Sequence, residues 1–206
     1  MQVAGLLVTG GRSSRMGRDK ATMRLSRGWP TFASNAGRCL RDGVAPEPAL
    51  EVGPGASGLP TAADFGVEDP QTGPLTAVVA GAEALRRSGF CGPVVVLATD
   101  LPLATVELVS FLAGFPRPGS VVPVVGGRMQ PLAARWSEAD LETARRLAAL
   151  GERSVRAVFR DAGSLLDETV WRDFVPGRVF SDVDEPGDLA GLALGSGSAA
   201  PRPTAR

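Results

Sequence analysis

The 206-residue sequence contains no histidine and no tyrosine. Without histidine there is no Ser-His-Asp hydrolase, no Cys-His protease, no His-ligated zinc and no phosphohistidine chemistry. Cysteine is scarce: Cys39 and Cys91 are the only two, they form no CxxC pair, and they read as free thiols of a reducing compartment. Net charge is absent, with 22 Lys+Arg against 22 Asp+Glu, so no global field draws the chain to nucleic acid or to an anionic membrane. Aromatic residues make up 5%, which leaves few stacking platforms for bases. No apolar run approaches the roughly 20 residues needed to span a bilayer. The run Val3–Val8 is too short for a signal peptide and leads into a basic, glycine-rich stretch instead of a cleavage site. A cytoplasmic protein is expected, with no nucleic-acid or membrane partner. Carboxylates, lysine, arginine, backbone amides and a bound metal remain for catalysis.

The length and the 44% hydrophobic content suit one domain with a substantial core, expected over residues 1–194. Val3–Val8 and Pro93–Ala98 are continuous apolar runs, as expected of strands buried on both faces. Helices are expected at about 31–41, 76–87, 104–113, 137–150 and 153–160, with strands at 49–53, 120–124 and 179–183. Pro186 would open a last short helix, and residues 195–206 read as a disordered tail. Alternating strands and helices imply an α/β fold: a three-layer, mostly parallel, Rossmann-like sheet. Ligands of such sheets bind beyond the carboxyl ends of the strands, here after Val8 and after Ala98.

Three segments carry chemistry. In Leu7–Lys20, Gly10 and Gly11 let backbone amides approach a ligand closely, and Arg12, Arg15, Arg18 and Lys20 supply cations nearby. The glycine spacing matches neither GxxxxGK[ST] nor GxGxxG. At the second segment Asp100 follows a wholly apolar run, a place for a carboxylate on Mg²⁺; the same residue also suits a turn or an N-cap. In the third, Asp182 and Asp184 lie two apart on an extended stretch and face one way. One of them completes a metal site or contacts the acceptor substrate, or Asp184 or Glu185 simply caps the helix begun by Pro186.

Residues 7–20, LVTGGRSSRMGRDK, resemble the LAGGxSxRMGxDK signature of the molybdenum cofactor guanylyltransferase family. The resemblance continues through Glu68–Leu75 with its Gly73-Pro74-Leu75, through Ala98–Pro102 and Arg128–Leu132, and into Asp182–Leu189. It spans about residues 3–193. It implies a Mg²⁺-dependent nucleotidyltransferase that moves GMP from GTP to molybdopterin-bound molybdenum cofactor and releases pyrophosphate. Val8, Thr9, Gly10, Gly11, Lys20, Asp69, Gly73, Pro74, Leu75 and Asp100 would then form the nucleotide site. Arg15, Lys20 and Asp100 would be catalytic, and Asp100, joined by Asp184, would hold the metal. Arg128, Gln130, Arg156, Asp182 and Asp184 would face the acceptor, and Gly10-Gly11 favours guanine over cytosine. A related cytidylyl- or guanylyltransferase, or a nucleotide-binding accessory protein working with molybdoenzyme maturation proteins, are the alternatives. The chain departs from the family pattern at Thr9, where alanine is usual, and at Asp182 and Asp184, where relatives carry asparagine. No asparagine stands near Val52-Gly53.

Overall fold

A computed structural model of the chain describes residues 1–9, 20–159 and 164–183. The expected helix at Pro186 and the tail from 195 lie outside the described residues. The first strand, β1 (Ala4–Val8), is buried at all five positions. It is the hub of the sheet: β2 (Ala49–Val52) and β3 (Val94–Ala98) flank it, both parallel to it. Helix α1 (Phe32–Val44) connects β1 to β2, and α2 (Pro74–Arg87) connects β2 to β3. After α3 (Val106–Gly114) come β4 (Val122–Val125), β5 (Arg128–Met129) and β6 (Ala133–Trp136), the last antiparallel to β3. Helix α4 (Glu138–Ala149), the short strand β7 (Leu165–Leu166) and α5 (Glu168–Trp171) complete the α-helices and strands among the described residues.

The main sheet has the order β2-β1-β3-β6, and a smaller one has the order β5-β4-β7. An antiparallel bridge between Val121 and Arg135 joins the two. Side-chain alternation divides the core between the two faces. Leu7, Val95 and Leu97 pack among residues of α1 and α3. Ala4, Leu6, Val8, Val94 and Val96 pack against α2 and α4 residues such as Val78, Leu85 and Ala144. Both faces are covered, which is why the central strands read as unbroken apolar runs. The fold is a three-layer α/β arrangement around a mostly parallel sheet, as the alternation implied.

The helices start where their caps dictate. Thr31, Thr105 and Ser137 each accept a hydrogen bond from a backbone amide in the first turn of α1, α3 and α4. Pro74 occupies the first turn of α2, so this helix begins two residues earlier than its apolar periodicity alone suggests. The α1–α3 contact is especially close. A Cβ at Gly43 would lie 2.6 Å from both Cβ and Cγ1 of Val109. Those atoms belong to a stiff β-branched side chain that cannot rotate away. Gly43→Ala therefore sets a helix-propensity gain of about 1 kcal/mol against overpacking of about 1–3 kcal/mol. Overpacking is expected to win, giving a net loss of about 1 kcal/mol that a thermal melt would register as a lower midpoint.

The expected strand at 179–183 is not one. Residues Gly177–Phe180 form a 3-10 turn capped by Pro176, with Val179 and Phe180 buried. Phe180 meets Trp171 edge to face at 4.8 Å. The apolar pattern that suggests a strand there arises from two side chains anchored in the core. In the other direction, β5, β6 and β7 were not anticipated, because each is short. In β6, moreover, a charge at Arg135 interrupts the apolar run.

Arg135 is fully buried and faces no carboxylate among its hydrogen-bond partners. Its guanidinium donates to the carbonyls of Ala113 (3.2 Å), Phe115 (3.0 Å) and Gly119 (3.1 Å), and to that of Arg117. These carbonyls belong to the end of α3 and the turn after it, where helical carbonyls lack partners and the helix dipole is negative. Burial, and secondarily the neighbouring Arg117, pull the Arg135 pKa below its usual value.

Candidate active site

The first strand ends in register with both neighbours: Val8 lies opposite Ala98 on one side and Val52 on the other. Whatever follows these three strands emerges along one edge of the sheet. Thr9 is held there by its amide, which donates to Val52 O at 3.0 Å, and by its hydroxyl, which donates to Glu51 Oε1 at 2.6 Å. Gly10, Gly11, Arg15 and Asp184 lie outside the described residues.

The turn after β3 is pinned from several directions. Asn35, buried on α1, donates from Nδ2 to the carbonyls of Pro102 (3.2 Å) and Ala104 (3.1 Å). Cys39 donates to Ala104 O at 3.3 Å, and burial raises its thiol pKa to about 11, so it stays protonated as a donor. On the far side, the Val183 amide donates to Asp100 O at 2.9 Å. That bond brings exposed Asp182 to the neighbourhood of half-buried Asp100. Val183 also closes a small apolar cluster with Leu25 and Phe32, against which Met23, Trp29 and Leu103 pack. Lys20 opens a 3-10 turn, Lys20–Thr22, whose carbonyl accepts from the Met23 amide at 3.1 Å. The segment bearing Lys20 and the turn bearing Asp100 are thus joined through one cluster.

Two further segments reach this edge. The Ala98 amide donates to Leu132 O at 3.0 Å, which seats the Arg128–Leu132 stretch beside the end of β3. Gln130 is held in that stretch by its amide on Pro123 O, while Arg128 is exposed next to the turn at Gly126-Gly127. Glu168 and Trp171 of α5 back the same hairpin: Glu168 accepts from the Gly126 amide, and Trp171 Nε1 donates to Val124 O at 3.0 Å. The other segment leads into α2. Asp69 Oδ1 accepts from the Gln71 amide at 2.9 Å, and Gly73 caps the helix at φ 141°, a conformation that favours glycine. Leu75 is fully buried, and its amide donates to Arg153 O at 3.3 Å. Arg156 is exposed on the 3-10 turn Val155–Phe159, which packs with the α2–α4 face. Asp182 adjoins Val183, which belongs to the cluster at the start of α1.

Among the described residues, no three Cys, Asp or Glu side chains gather closely enough to cage a metal ion. Mg²⁺ does not require such a cage, since it ordinarily takes one or two carboxylates and completes its shell with phosphate oxygens and water. A half-buried Asp100 at a rigid strand end, with Asp182 on the adjoining segment, fits that donor set.

Glu51 escaped the sequence reading, because a lone acid in a weak strand carries no motif. It is fully buried. Oε1 accepts from Thr9 Oγ1 and from the amides of Gly55 (2.9 Å) and Ala56 (3.2 Å), and Oε2 accepts from the Ser57 amide (2.9 Å). Burial alone would raise its pKa, but the hydrogen bonds from Ser57, Thr9 and Ala56 outweigh it and hold the carboxyl below its usual value. A depressed folded-state pKa means stability that is present above the ordinary glutamate range and is lost as pH falls through the lower value.

Comparison with known proteins gives the family and supports the fold. Residues 5–168 match the model of the MobA-like NTP transferase domain. A protein of Mycobacterium avium described as a probable molybdenum cofactor guanylyltransferase is 31% identical over 199 residues, covering 94% of this chain and 96% of the relative. One of the same description from Mycobacterium tuberculosis is 34% identical over 160 residues, 76% of this chain and 78% of the relative. Among solved structures, molybdopterin-guanine dinucleotide biosynthesis protein A of Archaeoglobus fulgidus superposes with a TM-score of 0.70 at 18% identity, covering 93% and 97% of the two chains. The 2-C-methyl-D-erythritol 4-phosphate cytidylyltransferase of Thermus thermophilus gives 0.58 at 20% identity, covering 94% and 100%. At these identities the solved structures share the fold. From its strand edge to its match over most of its length, the chain belongs to the MobA-like NTP transferase family of nucleotidyltransferases.

Proposed function

We propose that this protein transfers GMP from GTP to the phosphate of molybdopterin-bound molybdenum cofactor, releasing pyrophosphate. The observation that carries the reading is the register of β1 with β3, Val8 opposite Ala98, which brings the end of β1 and the start of the Asp100 turn to the same edge of the sheet. The relatives described as probable molybdenum cofactor guanylyltransferases supply the acceptor class and the base.

The acceptor phosphate attacks the α-phosphorus of GTP in line, and pyrophosphate departs. Both reactants are anions, so the protein's task is alignment and relief of charge repulsion. A phosphate nucleophile needs no general base, and the lack of histidine is no handicap. Thr9, Gly10, Gly11 and Arg15 hold the triphosphate, and Lys20 balances the charge that develops on pyrophosphate. Asp69 and the Gly73-Pro74 turn position the nucleoside, with Leu75 anchoring that turn in the core. Asp100, with Asp182 or Asp184 beside it, would hold Mg²⁺. When bound, the ion neutralises phosphate charge and orients the oxygens for displacement. Arg128, Gln130 and Arg156 meet the acceptor, where arginine can grip phosphate with two parallel hydrogen bonds. The cytoplasmic location expected from the sequence suits this reaction, with molybdoenzyme maturation proteins as partners.

The test is pyrophosphate release by the purified protein with Mg²⁺, molybdopterin-bound cofactor and GTP, CTP or ATP in turn. GTP is expected to exceed the others in kcat/KM by at least about tenfold. A preference for CTP would shift the assignment to a cytidylyltransferase, and GTP binding without turnover would make the protein an accessory factor.

A further inference from the structure

We infer that Glu51 is a positioning residue for nucleotide binding, its buried carboxylate tying Thr9 at the end of β1 to the loop that follows β2. The inference rests on the nucleotide site proposed above and extends it to a residue on a different strand.

A carboxylate inside a strand is costly unless every lone pair is answered. Here the answer comes from two separate pieces of chain. The hydroxyl of Thr9 approaches from β1, and the amides of Gly55, Ala56 and Ser57 approach from the loop. The loop wraps the carboxylate as backbone nests wrap bound anions, with the protein's own side chain as the anion. It then returns to the strand, where the Glu51 amide donates to Pro60 O at 2.8 Å. Helix α1 closes it from outside, since a Cβ at Gly37 would lie 2.8 Å from Ser57 Cβ.

The arrangement depends on a missing side chain as well. Gly53 stands at φ 149°, and a Cβ there would fall 1.8 Å from Thr9 Oγ1. Threonine at position 9, glutamate at 51 and glycine at 53 therefore interlock. Thr9 is also where the chain departs from the alanine of the family signature. An alanine could not reach the carboxylate, so the Thr9 hydroxyl adds, among the described residues, the one bond to the Glu51 carboxylate that comes from outside the loop. Their joint effect is to fix the backbone at the residue before Gly10-Gly11, together with the neighbouring loop along the same sheet edge. A hydrophobic residue at 51 could fill the strand, but it could not hold the loop and Thr9 to one point.

Glu51→Gln replaces one acceptor oxygen with an NH₂ group, which opposes a loop amide whichever oxygen it replaces, Gly55 and Ala56 at one position and Ser57 at the other. Thr9→Val keeps the shape and removes the hydroxyl. The experiment is titration calorimetry of GTP with Mg²⁺ on the wild type, on both single variants and on the double variant, with melting curves and steady-state kinetics alongside. Each single variant is expected to bind GTP about tenfold more weakly, and the double variant no more weakly than Glu51→Gln alone. KM for GTP should rise while kcat and the acceptor KM change little. A folded Glu51→Gln with wild-type GTP affinity overturns the inference, as does a uniform fall in kcat and in affinity for both substrates. Should Glu51→Gln fail to fold, Thr9→Val decides the matter by the same readings. If the wild type binds neither GTP nor CTP, the nucleotide reading itself falls and takes this inference with it.

Discussion

Asp100→Ala is expected to lower turnover by about a thousandfold while the melting midpoint stays within about two degrees of the wild type. The size follows from its place. Asp100 is the first polar side chain with solvent access beyond a strand whose five residues are all buried. A carboxylate held on so rigid a support is suited to a metal ion whose contribution is worth several kcal/mol of charge stabilisation. The fold should survive because the turn is secured by backbone carbonyls at Asp100, Pro102 and Ala104. Pyrophosphate release over a Mg²⁺ titration measures the effect. An Asp100→Ala protein that still turns over at the wild-type rate would remove this residue from the metal site. An Asp100→Asn protein offers the second comparison, since it preserves shape and hydrogen bonding while withdrawing the charge.

Arg135→Met is expected to be the most destabilising single change considered, at about 3–5 kcal/mol. Methionine fills similar space and would pack well against the core. It removes the guanidinium donor from the carbonyls of Ala113, Phe115, Arg117 and Gly119, of which Phe115 keeps a second donor, the Arg117 amide. Each deserted carbonyl costs on the order of 1 kcal/mol or more. For a chain of this size the melting midpoint should fall by about 10 degrees or more. Arg135→Lys should recover only part of the loss, because an ammonium has three donors on a flexible stem and no planar fork. Thermal unfolding followed by circular dichroism tests both variants. A Met protein melting beside the wild type would mean that water reaches those carbonyls easily.

Arg135 also shows where sequence reasoning stops. The strands β1 and β3 were legible because burial on both faces leaves only apolar residues, and α2 was legible from its spacing. The turn carrying Asp100 was legible because it follows such a strand directly. Strand β6 was hidden by its arginine, whose burial depends on carbonyls at the end of α3 that no local pattern announces. Residues 179–183 were misread in the opposite sense. Their apolar content serves a 3-10 turn whose side chains dock on Trp171. Glu51 and Asn35 were invisible for a related reason: each acts through partners distant in the chain, and neither belongs to a recognisable motif. Motif residues announce chemistry, whereas the side chains that hold a motif in place are disclosed only by the folded backbone.

The hydrogen bond from Val183 to Asp100 has a kinetic implication. It closes a loop of roughly eighty residues, a costly event for a folding chain. The central strands and their helices can assemble from shorter-range pairings well before it. The Asp100 carboxylate would therefore acquire its final surroundings late, after the scaffold beneath it is already formed. A ligand that favours the closed arrangement would steady this seam more than the rest of the molecule, and slowed amide exchange at Val183 would reveal it.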